Sequence, residues 1–417
     1  MDTYKSEERL TTFDDIIDRI GEFGLYQKRL YLLICLPGIT TAFAVAIIVF
    51  ALGEHHHRTI ISDFNLVCDD QIKQSHANMA YYGGYAVGSM TFGAIGDIFG
   101  RKLALCTSIS LFFVSSLVTT WSPTFYAFVI FRFLTGLTCL GYWCVAVTLA
   151  LELVGSSKRK YVGLVIEFFW CFGEMVTVAA AYIFRDWRDL QLALALPSVF
   201  FLTYWCILPE SPRWLLLHGR KKEANSIIRK AAKTNGIHEL DVFIAENRAE
   251  GETGVSYWIP LLKSRVLVVR WCIVALNWFT VSLVYYGLTM NVGKLGGDVF
   301  LNFTISVLVE FLGYFSCLCL VDRLGRRVLH CASMLLGGVA CLCTIVPVVA
   351  TDASLLWVTV VLSMVGKMGV SCAFGGIYLY TTELFPTGIR GSILGSVNIA
   401  GRLGALIAPY IADIVSI

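Results

Sequence analysis

Gly96-Asp97-Ile98-Phe99-Gly100-Arg101-Lys102 and Asp322-Arg323-Leu324-Gly325-Arg326-Arg327 are the stretches whose reading decides the fold. Each holds an acid, two residues, a glycine and two cations, and they stand 225 positions apart. A second signature repeats at nearly that spacing. Glu152 stands seven residues before Arg159 and Glu383 seven before Arg390, an offset of 231. Two independent signatures at almost one offset indicate a duplicated unit, a recurrent plan among membrane transporters. The glycine of each loop allows a tight turn between helices, and Asp97 or Asp322 can pair with a cation of the neighbouring bundle. Asp97, Arg101, Glu152, Arg159, Asp322, Arg326, Glu383 and Arg390 are therefore expected to form a latch that releases as two halves rock. Basic-loop topology with a turn glycine would explain the cations, but not the acid at fixed spacing.

The segments flanking these loops are long and apolar. A helix crossing a ~30 Å hydrocarbon core needs about 20 mainly apolar residues, and eleven such windows are expected: 29–52, 77–96, 103–121, 124–150, 161–183, 189–208, 266–290, 299–321, 328–350, 353–380 and 391–417. The predicted organisation is a cytoplasmic N-terminus (1–28), a six-helix bundle (29–208), a cytoplasmic amphipathic linker (209–265) and a second bundle with five visible spans (266–417). Every loop rich in lysine and arginine follows an even-numbered span, which places those loops and the N-terminus together on the cytoplasmic face. Residues 1–28 hold no short apolar run with a cleavage site, so no cleavable signal peptide is read there.

Composition agrees. The 417 residues are 57% hydrophobic and 15% charged, with a mean hydropathy of +0.70. Soluble globular chains carry roughly 25% charge, so a soluble enzyme and a disordered scaffold are excluded. A net charge of +3 leaves no basic surface for nucleic acid. Most of the fourteen cysteines fall inside apolar runs and read as small hydrophobes. Cys68, in the polar stretch 63–78, is the one candidate for a disulfide, without an obvious partner in its loop. His55-His56-His57 read as exposed loop rather than a metal site, and the sequon at Asn302 lies at a span's start. No phosphate-binding loop, zinc-protease pair or nucleophile motif occurs, so no catalytic residue, cofactor or metal is assigned.

Ionisable side chains at membrane depth are costly and usually face a watery cavity or a partner. Counting about 1.5 Å per residue from the cytoplasmic ends, Glu174 lies roughly 20 Å in, and Glu310 and Arg402 about 18 Å in. Glu167 shares a face with Glu174 two turns lower, and Lys367 stands further out. Three charges near one level, on helices of both halves, describe a substrate site. The alternative is that Glu310 with Arg402, or Glu174 with Lys367, form structural ion pairs. Tyr142, Trp143, Asn277, Trp278, Tyr285, Tyr286, Phe374 and Tyr378 are expected to line the same space, the aromatic faces attracting cations.

Together, the Gly96–Lys102 loop, its Asp322–Arg327 repeat and Pro209-Glu-Ser-Pro-Arg-Trp214 resemble the major facilitator superfamily. Asp63-Phe-Asn-Leu-Val-Cys-Asp69, Gly141-Tyr-Trp143, Arg185-Asp-Trp-Arg188, Trp278-Phe-Thr280 with Tyr285, and Glu383-Leu-Phe-Pro386 resemble its organic cation, zwitterion and anion transporter family. The resemblance implies two pseudo-symmetric six-helix bundles and alternating access at a plasma membrane. Glu310 matches a glutamate that cation-handling members use. Arg402 stands where anion- and carnitine-type members tend to carry arginine and pure cation members an aspartate. A ligand bearing both charges is implied, with its ammonium or imidazolium towards Glu310, Glu167 or Glu174 and its carboxylate towards Arg402. Amines, carnitine-like, β-alanine- and imidazole-amine-type compounds fit that description. A strict organic-cation uniporter, or a non-transporting receptor or scaffold on the same fold, are the alternatives. The expected partners are this substrate, the bilayer and, as an open question, a coupling ion. Two departures stand out: a short first outer loop, of about 25 polar residues between Val49 and Met79, and eleven spans where the family has twelve.

Overall fold

A computed structural model describes residues 13–52, 58–67, 72–237, 264–350, 356–385 and 390–414. Among these no β-strand forms, as expected where the bilayer offers no water to satisfy open backbone groups. Cys68, the 55–57 histidines and much of the 209–265 linker lie outside the described residues, as does the side chain of Arg390.

The N-terminal half begins with a short helix α1 (Phe13–Ile20), then α2 (Leu25–Ala51), α3 (Ile60–Phe64), α4 (Ile72–Phe99), α5 (Arg101–Thr120), α6 (Phe125–Glu152) and α7 (Arg159–Ile183). Its last span runs Trp187–Ile207 as α8 (Trp187–Ala195), a 3-10 segment (Leu196–Thr203) and α9 (Tyr204–Ile207). The linker supplies α10 (Pro212–Leu217) and α11 (Lys221–Thr234). The second half holds α12 (Arg265–Asn291), α13 (Val299–Leu320), α14 (Arg326–Cys343), α15 (Ile345–Ala350), α16 (Leu356–Leu384) and α17 (Arg390–Ile414).

Ten of the described helices are long and apolar enough to cross a membrane, which corrects the expected eleven. The exception is α4. It runs 28 residues, so it has the length, but its glycines, tyrosines and hydroxyl residues make it less apolar than its neighbours. Those residues serve packing instead. A Cβ on Gly84 would lie 2.1 Å from the Phe133 carbonyl oxygen, and one on Gly136 2.1 Å from that of Tyr81. Only glycine lets α4 and α6 approach so closely.

The duplication is visible in the backbone. Gly100 and Gly325 both take positive φ, 111° and 80°, as the N-caps of α5 and α14. A Cβ on Gly173 of α7 would meet the Ile39 carbonyl oxygen of α2 at 2.4 Å, and one on Gly404 of α17 would meet that of Phe279 in α12 at 2.3 Å. Gly173 and Gly404 stand at the 231-residue offset of the second loop signature. Between the halves, α4 packs on α17 and α7 on α13. Outside the spans, α1 and α11 share an apolar contact of Ile16, Ile20, Ile228, Ala231 and Ala232.

Candidate functional site: a charged chamber between the halves

Two adjoining spaces lie at the junction of the halves. The larger has a volume of about 750 Å³ and reaches the basic face, where Glu152, Arg159, Lys160 and Arg213 line it. The smaller, about 30 Å³, is lined by Tyr85, Cys139, Leu140, Trp143, Glu167, Trp170, Tyr285, Tyr286, Tyr314, Phe374, Tyr378 and Arg402. That is room for about two waters. Trp143, Glu167 and Tyr378 line both spaces, so the inner chamber lies directly against the larger cavity.

Rotation about each helix axis decides which expected residues reach the chamber. Glu167 and Trp170 stand one turn apart on α7 and both line it, with the Trp170 ring edge-on to Trp143 at 5.3 Å. Arg402, on α17, is 3% exposed. Its Nε has no hydrogen-bond partner, and it forms no ion pair among the described residues. Tyr286 and Tyr378 surround it within electrostatic reach, and the Trp278 ring backs Tyr378 edge-on at 4.5 Å. Glu167 and Arg402 are the charged residues of the chamber lining, one from each half.

Other expected residues lie elsewhere. Glu310 and Lys367 are 1% and 2% exposed and pair with each other, Nζ to Oε2 at 2.9 Å. This differs from both pairings weighed from sequence. The Tyr285 hydroxyl donates to the other Glu310 oxygen at 2.5 Å. Glu174 accepts from Trp170 Nε1 at 3.1 Å and stands deeper, outside the lining. The Tyr142 hydroxyl donates to the Ile34 carbonyl oxygen at 2.5 Å, so its ring joins α6 to α2 rather than facing the chamber. Asn277 donates to the Ile273 carbonyl on its own helix, and Trp278 to Thr381 Oγ1 at 3.0 Å. Tyr142, Asn277, Trp278, Glu174, Glu310 and Lys367 therefore stand outside the lining of the inner chamber.

The chamber also contains residues that were not singled out from sequence: Tyr85, Cys139, Trp170 and Tyr314. Arg132 was missed too, although a lone cation inside an apolar window is a readable signal. It is buried beyond the chamber, donates to the Ala44 carbonyl oxygen at 2.9 Å and lies 4.2 Å from the Tyr81 ring centroid.

Both ends of this space are tied by cross-element contacts. On the basic face, Arg101 pairs with Asp97 and Glu152, and Arg326 pairs with Asp322 and Glu383, the same triad in each half. Lys160 of α7 reaches Asp322 across the halves, while Arg159 pairs with Asp14 of α1 at 3.1 Å. On the opposite face, Phe50 stacks on Phe300 at 5.4 Å and packs on Phe303 at 5.2 Å. Tyr182 meets Phe300 edge-on, and the Arg185 guanidinium lies over both rings at about 5 Å. The molecule is thus closed by aromatic packing on that face and hollow towards the basic one.

Comparison with known proteins identifies this arrangement. The sugar (and other) transporter family matches residues 70–416. An organic cation transporter protein of Drosophila melanogaster is 32% identical over 96% of this chain and 86% of its own length. Human solute carrier family 22 member 2 is 34% identical, covering 98% of this chain and 71% of that one. Organic cation/carnitine transporter 4 of Arabidopsis thaliana is 30% identical over 98% and 84%. In fold, the chain superposes on the E. coli xylose transporter XylE, in a partially occluded inward-open conformation, with a TM-score of 0.71 at 16% identity, covering 93% and 92%. The chain is a multi-pass membrane protein that belongs to the solute carrier 22 family of organic cation transporters, within the major facilitator superfamily.

Proposed function

We propose that the protein carries small organic cations or zwitterions across the plasma membrane, with its basic face and N-terminus cytoplasmic, by alternating exposure of the inner chamber. The moving units are the bundles 29–208 and 266–417, with 209–265 as their joint; the triads of the basic face brace each half, and the Lys160–Asp322 pair between them acts as the latch. The volume on the basic side falls within the roughly 300–1,000 Å³ range of small-molecule sites. The rings of Trp143, Trp170, Tyr286 and Tyr378 provide faces for an ammonium or imidazolium, each worth about 0.5–2 kcal/mol, and Glu167 supplies the countercharge.

The observation that carries the zwitterion reading is Arg402, buried in the chamber wall with its Nε unpartnered and with no ion pair among the described residues. An ion held without a partner at membrane depth is costly, and a substrate carboxylate in the chamber would complete its hydrogen bonds in the charge-assisted way such groups favour. Carnitine-like, β-alanine-like and imidazole-amine compounds carry both ends. The test is uptake of labelled zwitterions, cations and anions into proteoliposomes. Arg402→Ala is expected to lower zwitterion uptake at least about tenfold, the loss of one charge-assisted contact, and to spare simple cations. Equal losses for both would reject the zwitterion assignment in favour of a cation uniporter. Saturable binding without flux would favour a receptor. Flux that collapses with a sodium or proton gradient would identify a coupling ion.

A further inference from the structure

Glu310 and Lys367 lie just behind the chamber wall rather than in it. Lys367 Nζ sits 2.9 Å from Glu310 Oε2, 2.5 Å from Thr289 Oγ1 and 3.6 Å from the Tyr285 ring centroid. The Tyr285 hydroxyl binds Glu310 Oε1, and the Tyr285 ring, stacked on Phe374 at 5.0 Å, lines the chamber. All these groups belong to α12, α13 and α16, so the pair is complete within one half and moves with it. Glu174 of α7, in the other half, lies within the field of both charges.

A buried pair in this position has an electrostatic consequence for the chamber. Paired, Glu310 and Lys367 act there as a small dipole, and Glu167 and Arg402 remain as the charged groups of the lining itself. Unpaired, either would act as a full charge one tyrosine ring away, in a medium that screens poorly. We propose that Lys367 determines which class of charge the chamber accepts, by cancelling Glu310 from behind the Tyr285 wall. With Lys367 in place the chamber favours a ligand bearing both an ammonium and a carboxylate; with Lys367 neutral, Glu310 becomes a second acid and the preference passes to plain cations. Lys367 is therefore a positioning residue for charge rather than a contact to substrate. The inference rests on the chamber being the substrate site.

The test uses purified full-length protein in lipid nanodiscs and a matched ligand pair differing by one carboxylate: butyltrimethylammonium and 4-(trimethylammonio)butanoate. Binding is read as ligand-dependent thermal stabilisation over a concentration series. Wild type should prefer the zwitterion. In Lys367→Gln the ratio of affinities should shift towards the plain cation by roughly tenfold, and Glu310→Gln should shift it the opposite way. The Lys367→Gln/Glu310→Gln double variant, which removes both charges together, should return the ratio to near the wild-type value. If Lys367→Gln does not fold, Glu310→Gln and the double variant still decide the matter. An unchanged ratio in the single variants, or a shifted ratio in the double variant, overturns the proposal. Wild-type protein that binds neither ligand instead overturns the reading of the chamber, and with it this inference.

Discussion

At the scale of single residues, neighbours in sequence have separate tasks because successive helical positions point about 100° apart. Trp143 faces the chamber, whereas Tyr142 turns its hydroxyl to the Ile34 carbonyl of α2. Tyr142→Phe should accordingly cost about 0.5–1.5 kcal/mol of stability, seen as a lowered melting temperature, and leave substrate selectivity unchanged. Tyr378→Ala, by contrast, should alter the ranking of cations, since its ring lines the chamber. Measured selectivity that follows Tyr142 instead would place its ring in the path. What was legible in sequence at this scale is burial: Glu310 and Arg402, charges set inside apolar windows, are both buried. What was not legible is partner choice. Periodicity within one helix does not say which helix it faces, so the Glu310–Lys367 pair and the unpartnered Nε of Arg402 needed three-dimensional placement.

Elements are held in register by contacts that the hydropathy pattern does not encode. The ends of the first half away from the basic face converge on Asp63. It accepts from Trp187 Nε1 at 2.9 Å and Arg188 Nε at 3.1 Å and pairs with Arg58. Arg188 donates in turn to the carbonyls of Thr120 and Ser122, so one carboxylate ties α3, α8 and the end of α5 together. Burial pushes its carboxyl up, but the donors Arg58, Trp187 and Arg188 outweigh that and hold it below the ordinary carboxylate range. A carboxyl lowered on folding contributes stability that is fully present above its unfolded value and is lost as pH falls through the folded one. The melting difference between wild type and Asp63→Asn should therefore be constant from about pH 8 to 5 and shrink below about pH 4. Its size should be about 1–3 kcal/mol, as expected for bonds to a charged group. A difference that grows with acid would show that the clamp does not depend on the ionised carboxylate. The sequence showed the helices either side of this clamp as apolar windows. It did not show that α4 would be recognisable by its glycines better than by its hydropathy, because close backbone approach replaces side-chain apolarity there.

On the scale of the whole molecule, the conformation described here is a balance between two ends. The duplicated loops, legible from their 225- and 231-residue offsets, sit on the hollow basic face. The face that is closed has no counterpart motif in the sequence, because aromatic packing between Phe50, Tyr182, Phe300 and Phe303 is a property of two halves brought together. Each such ring contact is worth about 0.5–1.5 kcal/mol beyond area burial, and the Arg185 cation over Tyr182 and Phe300 adds a similar amount at an exposed site. Phe300 takes part in most of these contacts, so Phe300→Ala should remove about 2–3 kcal/mol of the closure. Contacts made in one conformation and absent in the other shift the population by their full differential free energy. The halves should then spend more time closed on the basic side. Cys144 reports on this, since it lines the 750 Å³ space and is partly accessible. In a background with the other cysteines replaced, a membrane-impermeant maleimide supplied from the basic face should label Cys144 at least about fivefold more slowly in Phe300→Ala, a modest fraction of that free energy. Arg185→Ala should slow it less. Labelling at the wild-type rate in both variants would mean that the aromatic cluster does not hold the far side shut, and that the balance is set by the ion pairs of the basic face, where Lys160 and Asp322 bridge the halves.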